Sequence, residues 1–360
     1  MPDALVAGRG HACRKLVFAH FGGLPIAYNL CFLGFGNVNR TLVRLLHEKK
    51  DDLLARGIDY RITGIATRRK GWIAGRDGLD LKQLLDESGP EPQPRGPDLH
   101  NVRDWLAAAR ADVLFEATAL NAQTGQPAID HIRAALESGA YAITANKGPI
   151  VHAYEELTAL AAQHGRRFLF ESTVMDGVPI FSLFRECLPA IKLRGFHGIL
   201  NSTTNVILSG MEEGLTFDES LKRAQAAGVA ETDPTNDIEG WDAAVKVVAL
   251  VRVLMGVALP LDCIDRQGIS QLTAPAVREA RAAGNPFKLV CRARRVENGV
   301  AASVRPEQIP LSDPMAWVTG TSSIVDFETD IFPGLTVTEN NPGLEATAYG
   351  MLADFIRAVG

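Results

Sequence analysis

Short apolar runs alternate with stretches of helical periodicity through the first half of the chain. The runs "NLCFL" (29–33), "YRITGIAT" (60–67), "DVLFEA" (112–117), "YAIT" (141–144) and "RRFLFE" (166–171) read as strands, with helical segments between them. One such segment, "QPAIDHIRAALESG", carries proline in its first turn and stops at Gly139. Strands that alternate with helices in this way predict a parallel sheet built from βαβ units. The proline-rich "SGPEPQPRGP" (88–97) reads as a surface loop within that unit.

After Glu171 the rhythm changes. "STVMDGVPIFSLFREC" turns into a helix, "LRGFHGILN" returns as a strand, and helical stretches run to about Ala283 before "FKLVCRARRV", "GVAASVRP" and "SSIVDFET" read as strands. Strands grouped apart from helices predict an α+β arrangement. The expected architecture is a Rossmann-type, doubly wound parallel α/β sheet over residues 29–171, and a second α+β substrate-binding and dimerisation domain over 172–340. An amphipathic helix in 341–360 is expected to return to the first domain, and residues 1–28 read as a loosely ordered extension.

Composition narrows the partners. Of the 360 residues, 46% are hydrophobic and 22% charged, as in ordinary globular proteins. A formal net charge of −5 gives no basic footprint for nucleic acid, so small molecules are the expected partners. No apolar run reaches the roughly 18 to 20 residues of a membrane span; the longest is broken by Lys246 and Arg252. Cys13, Cys31, Cys187, Cys263 and Cys291 are odd in number and far apart, which suits free thiols in a reducing, cytoplasmic setting. The histidines form no cluster of the kind that holds a transition metal.

The candidate chemistry begins at "GFGNVN". Gly34 and Gly36 fit two positions of the dinucleotide fingerprint, with Asn39 where a third glycine would stand. A strand before the turn and a helix after it would aim backbone N–H groups of Gly34, Phe35, Gly36, Asn37 and Val38 at a pyrophosphate. An ordinary strand–turn–helix has the same pattern. The second strand ends in "TRRKG" where NAD-binding folds place an acidic residue, so Arg68 and Arg69 could bind the 2′-phosphate of NADP, or belong to a solvated basic loop.

In the second half, "AETDPTNDIEGWDAAVKVVALVRVLMG" leads from an acidic loop into a helix that is apolar on nearly every face. Asp242 and Lys246, four apart, share one side of it. Two charges in a buried helix form either a structural ion pair or an acid–base site; desolvation would lower the lysine pKa, and the carboxylate would oppose that shift. Glu231 and Asp237 in the approach loop could hold a substrate ammonium. Lys147, in "ITANKGPI", follows the fourth strand, at the edge where open α/β sheets bind ligands.

Taken in order, "GFGNVN", "ITANKGPI", "ESTVMDGVPI", "GILNSTTNVIL", "AETDPTNDIEGWDAAVK" and "NPGLEATAYGMLADFI" resemble homoserine dehydrogenase over about residues 29–358. The resemblance implies an NAD- or NADP-dependent interconversion of L-homoserine and L-aspartate 4-semialdehyde, a step of threonine and methionine biosynthesis. It implies Lys246 as general acid/base with Asp242 beside it, Glu231 and Asp237 at the ammonium, and Lys147 bridging substrate and nicotinamide. Thr118 matches a cofactor-contacting threonine, and Gly343 a glycine that caps the last helix against the cofactor. Family members often hold sodium through the stretch matching Glu171, Val174, Asp176 and Val178; Asp176 replaces a residue that is usually small. A homodimer is implied, without the appended regulatory domain or fused aspartate kinase of some relatives, so threonine inhibition through such a domain is not expected. Two other readings stand beside this one: a dehydrogenase of another small amino acid, and a non-catalytic NADP-binding regulator.

Overall fold

The computed structural model describes residues 25–86, 99 and 101–360. The expected N-terminal extension, apart from the residues from 25 onward, and the proline-rich loop lie outside the described residues. Six strands form the first sheet: β1 (Ile26–Leu33), β2 (Ile58–Thr67), β3 (Gly71–Ala74), β4 (Val113–Glu116), β5 (Tyr141–Thr144) and β6 (Phe168–Leu169). Their order is β3-β2-β1-β4-β5-β6, parallel except for β3, which folds back on β2. β1 begins at Ile26, three residues before the apolar run, because parallel pairing with β2 starts at Ile26 and Ile58 although Ile26 is exposed.

Alternation along β1 divides the core between two faces. Leu30 and Phe32 pack with Phe115 against the helices Asn37–Glu48 and Leu344–Val359, whereas Cys31 and Leu33 face the helices Val102–Ala109, Ala128–Glu137 and Gly148–Gln163. Through Met351, Leu352 and Phe355 the last helix lies on the first sheet, and Phe355 meets Phe115 edge-on at 5.9 Å.

The second sheet contains β7 (Leu193–Ile199), β8 (Asp265–Arg266), β9 (Phe287–Val296), β10 (Gly299–Gln308), β11 (Ser323–Thr329) and β12 (Leu335–Glu339), in the order β12-β11-β7-β9-β10-β8. The helix Trp241–Leu250 buries all its residues except Trp241, Asp242 and Lys246, and its core is continuous with one face of the first sheet. The segment after Glu171 is less helical than expected: a 3-10 turn (Glu171–Thr173), a short helix (Ile180–Ser182) and a π-type turn (Leu183–Cys187). Among the described residues no helix is long and apolar enough to cross a membrane.

Candidate active site

β1 and β4 lie side by side where the chain changes direction across the sheet, so their carboxyl ends open a crevice at the switch point. Gly34 turns there with φ +80°, and a Cβ on it would meet the Ala117 carbonyl oxygen at 2.4 Å. A Cβ on Gly36, by contrast, would meet nothing within 4 Å. The first glycine lets two strand ends close up, and the second keeps a space open in front of the helix that begins at Asn37. No side chain caps that helix, which leaves the first amides, those of Asn37 and Val38 among them, directed to the opening. Asn39 is fully buried and its amide donates to the Gly34 carbonyl at 2.8 Å, tying the helix back to the glycine turn where a third glycine would have packed.

The crevice is a cleft of about 1260 Å³. Phe35 and Arg40 line one wall; Arg68 and Arg69, both exposed in the turn that joins β2 to β3, line another; Thr118 lies beyond the end of β4. The basic run is therefore the tip of a hairpin held over the cleft. Thr118 is fixed by Glu116, whose Oε1 accepts from the Thr118 backbone N–H at 2.9 Å and from its hydroxyl. Gly343 is the N-cap of the last helix.

The charged residues of the second half converge with Lys147. Asp242 Oδ2 is 3.1 Å from Lys246 Nζ, one turn along the same helix, and Asp242 Oδ1 is 3.2 Å from Lys147 Nζ, which arrives from the loop after β5. Lys246 also donates to the Leu200 carbonyl at 2.5 Å, and Asn201 donates from Nδ2 to Asp237 at 2.7 Å and to Asp242 at 3.1 Å. These charges are less than one-fifth exposed, so the pair is not a solvated surface contact.

Electrostatics corrects one expectation. Burial pushes the Lys246 ammonium towards neutrality, but Asp242, Asp176 and Asp237 together outweigh it, and its pKa is raised, not lowered. Burial likewise works against the Asp242 carboxylate, and there Lys147 and Lys246 prevail, holding it well below the usual range. Asp237 moves the other way: burial and the nearby Asp242 charge raise it, although Asn201 stabilises its ionised form.

Glu231 does not join this group. It is exposed, and its backbone carbonyl accepts from Gln225 Nε2 at 3.1 Å. In the stretch read as a cation site, Glu171 is buried with its carboxylate already engaged: Phe181 N–H at 2.6 Å, Ser182 N–H at 3.0 Å and the Arg357 guanidinium at 2.8 Å. Asp176 adopts a left-handed φ of +42° and accepts from Thr347 Oγ1 at 2.6 Å. Val174 is buried, and the Val178 carbonyl accepts from Ile180 N–H at 2.8 Å. Among the described residues no three His, Cys, Asp or Glu side chains are grouped to hold a metal.

Asn201 and Glu116 were not singled out from the sequence. Asn201 is the N-cap of the helix Ser202–Glu212, where capping explains an asparagine equally well, and Glu116 is a single acid at the end of a strand. The partners that tie them to the site, Asp237 and Asp242 for Asn201 and Thr144 for Glu116, are distant in sequence.

Residues 34–171 match the homoserine dehydrogenase NAD binding domain, and residues 179–356 match the homoserine dehydrogenase family. An NAD(+)-dependent homoserine dehydrogenase of Pseudomonas canavaninivorans is 35% identical over 335 residues, which cover 91% of this chain and 95% of that protein. The chain belongs to the homoserine dehydrogenase family. The homoserine dehydrogenase of Methanocaldococcus jannaschii is 34% identical over 91% of this chain and 97% of its own length. The homoserine dehydrogenase structure from Thiobacillus denitrificans superposes with a TM-score of 0.79 at 31% identity, covering 92% of this chain and 73% of that one. As a homoserine dehydrogenase, the protein is an NAD(P)-dependent oxidoreductase acting on a CH–OH group of a small-molecule substrate.

Proposed function

We propose that Lys246 is the general acid/base in the interconversion of L-homoserine and L-aspartate 4-semialdehyde. The observation that carries this is the Lys246–Asp242–Lys147 group, formed at the junction of the two sheets' elements. A nicotinamide bound in the cleft supplies the hydride acceptor or donor; the open space in front of Gly36 and the uncapped helix suit its pyrophosphate. Lys246 Nζ holds a proton at the reacting oxygen. It gives that proton to the carbonyl oxygen as the aldehyde is reduced, and takes it from the hydroxyl as homoserine is oxidised. Asp242 fixes the ammonium in place and favours its charged form. Reduction begins from that form, whereas oxidation requires its deprotonation first.

Lys147 is assigned to bridge substrate and nicotinamide, with Thr118 and Gly343 on the cofactor side. Asp237 is assigned to the substrate ammonium, with Glu231 contributing from the exposed approach loop. Arg68 and Arg69 support NADP, because two guanidiniums at the hairpin tip match a 2′-phosphate. NAD is the second reading, favoured by the NAD(+)-dependent relative. Backbone carbonyls in residues 171–178 are the proposed sodium ligands, a donor type suited to a hard cation; no proton or hydride step depends on them. A homodimer through the second sheet completes the reading, and the free thiols Cys31, Cys187, Cys263 and Cys291 suit a cytoplasmic protein.

Initial rates with L-homoserine, followed by absorbance of the reduced cofactor with NADP and NAD in parallel, test this reading. The expected result is turnover with both and a higher kcat/KM for NADP. Binding of NADP with no turnover of homoserine would overturn the substrate assignment.

A further inference from the structure

Glu116 ends β4 fully buried, and none of the ion pairs among the described residues includes it. An acid in that position is costly to bury unless its oxygens are well supplied with donors. Oε1 accepts from the backbone N–H and the hydroxyl of Thr118, and Oε2 accepts from Thr144 Oγ1 at 2.7 Å. The bonding continues beyond the carboxylate. Thr144 Oγ1 accepts from Asn146 N–H at 2.9 Å; Asn146 Nδ2 donates to the Thr118 carbonyl at 3.2 Å; and Asn146 Oδ1 accepts from Gly148 N–H at 2.9 Å. Lys147 lies between the two anchored residues, and its ammonium reaches Asp242 at 3.2 Å.

We propose that Glu116 is a positioning residue for hydride transfer, locking the Thr118 turn of the cofactor cleft to the Lys147 turn of the substrate site. The proposal rests on the roles assigned above to Thr118 and Lys147. A pair of turns joined through one carboxylate holds cofactor and substrate at a constant separation, and sub-ångström errors in that separation are costly to turnover. An apolar residue would pack at the end of β4 but could not receive the Thr118 and Thr144 donors together.

The test uses the full chain with L-homoserine and NADP. Glu116→Gln is expected to lower kcat at least tenfold and to raise KM for both substrates, in protein whose circular dichroism is native at the assay temperature. Thr144→Val is expected to reproduce the loss of kcat, and Thr144→Ser, which keeps the hydroxyl, to recover most of it. A kcat within twofold of wild type in Glu116→Gln overturns the proposal, as does equal impairment of Thr144→Ser and Thr144→Val. Should Glu116→Gln fail to fold, the Thr144 pair decides on the same terms. Lys147→Ala, assayed in parallel, separates the two levels. Unimpaired turnover there removes the Lys147 assignment and the proposal with it. Impaired turnover there, with normal Glu116→Gln, removes the Glu116 role alone.

Discussion

Lys147 and Asp242 lie 95 positions apart, at the starts of two different helices, yet their side chains meet at 3.2 Å with each less than one-fifth exposed. One residue follows a strand of the cofactor-binding sheet and the other opens the buried helix beneath the second sheet. Asp242 thus links Lys147 to Lys246. This charged group exists only when the two halves are packed together.

Removing the proposed proton carrier should stop the chemistry and spare the cleft. Lys246→Ala is expected to lower kcat by at least about a hundredfold, the lower end of typical general acid–base contributions. NADP affinity, measured by quenching of protein fluorescence, should stay within about threefold, because Lys246 is not among the residues that line the cleft. Turnover close to wild type would remove Lys246 from the mechanism.

The raised Lys246 pKa carries a sign. In the proposed mechanism homoserine oxidation needs the neutral amine, so its kcat should climb with pH on the alkaline side, while aldehyde reduction should be fastest below that inflection. Asp242→Asn removes the main carboxylate that holds the proton on Lys246, so the inflection should move to lower pH even as the maximal rate falls. An inflection unmoved by Asp242→Asn, in pH–rate profiles for both directions, would separate Asp242 from the titration of Lys246.

The hairpin tip should read the cofactor's 2′ position. Arg68→Ala with Arg69→Ala is expected to raise KM for NADP at least tenfold and to leave KM for NAD within about threefold, since charge-assisted bonds to phosphate are lost from one cofactor only. Equal weakening of both would place the arginines elsewhere on the ligand.

The last helix should contribute to stability through its apolar face. Phe355 is fully buried against Tyr28 and Phe115, at ring separations of 6.0 and 5.9 Å. Phe355→Ala is expected to destabilise the fold by about 3–5 kcal/mol, the usual cost of deleting a buried aromatic ring. Urea denaturation measures it; a loss below about 1 kcal/mol would mean that the helix is not part of the cooperative unit.

Much of this was legible in local pattern. β9 coincides with the run "FKLVCRARRV", and the cores of β1, β2, β4 and β5 coincide with the apolar runs assigned to them, because a buried strand declares itself in consecutive apolar residues. β3 and β12 were not visible: "GWIA" and "LTVTE" are short, part-exposed edge strands whose pairing partners, and not their own hydrophobicity, make them strands. The segment after Glu171 looked helical by composition, but buried bonds from Glu171 to the amides of Phe181 and Ser182 hold it as a succession of turns.

The site divides along the same line. By itself the sequence determined which residues are the candidates: the glycine turn, the two arginines after β2, Lys147, and the i to i+4 spacing that places Asp242 and Lys246 on one side of a helix. Tertiary structure alone decided how those charges act. It brought Lys147 to Asp242, left Glu231 in solvent, and surrounded Lys246 with enough negative charge to reverse the effect of burial on its pKa. Spacing along a helix is a local property that sequence encodes directly, whereas the field at a buried ammonium sums over every group that folding brings near it.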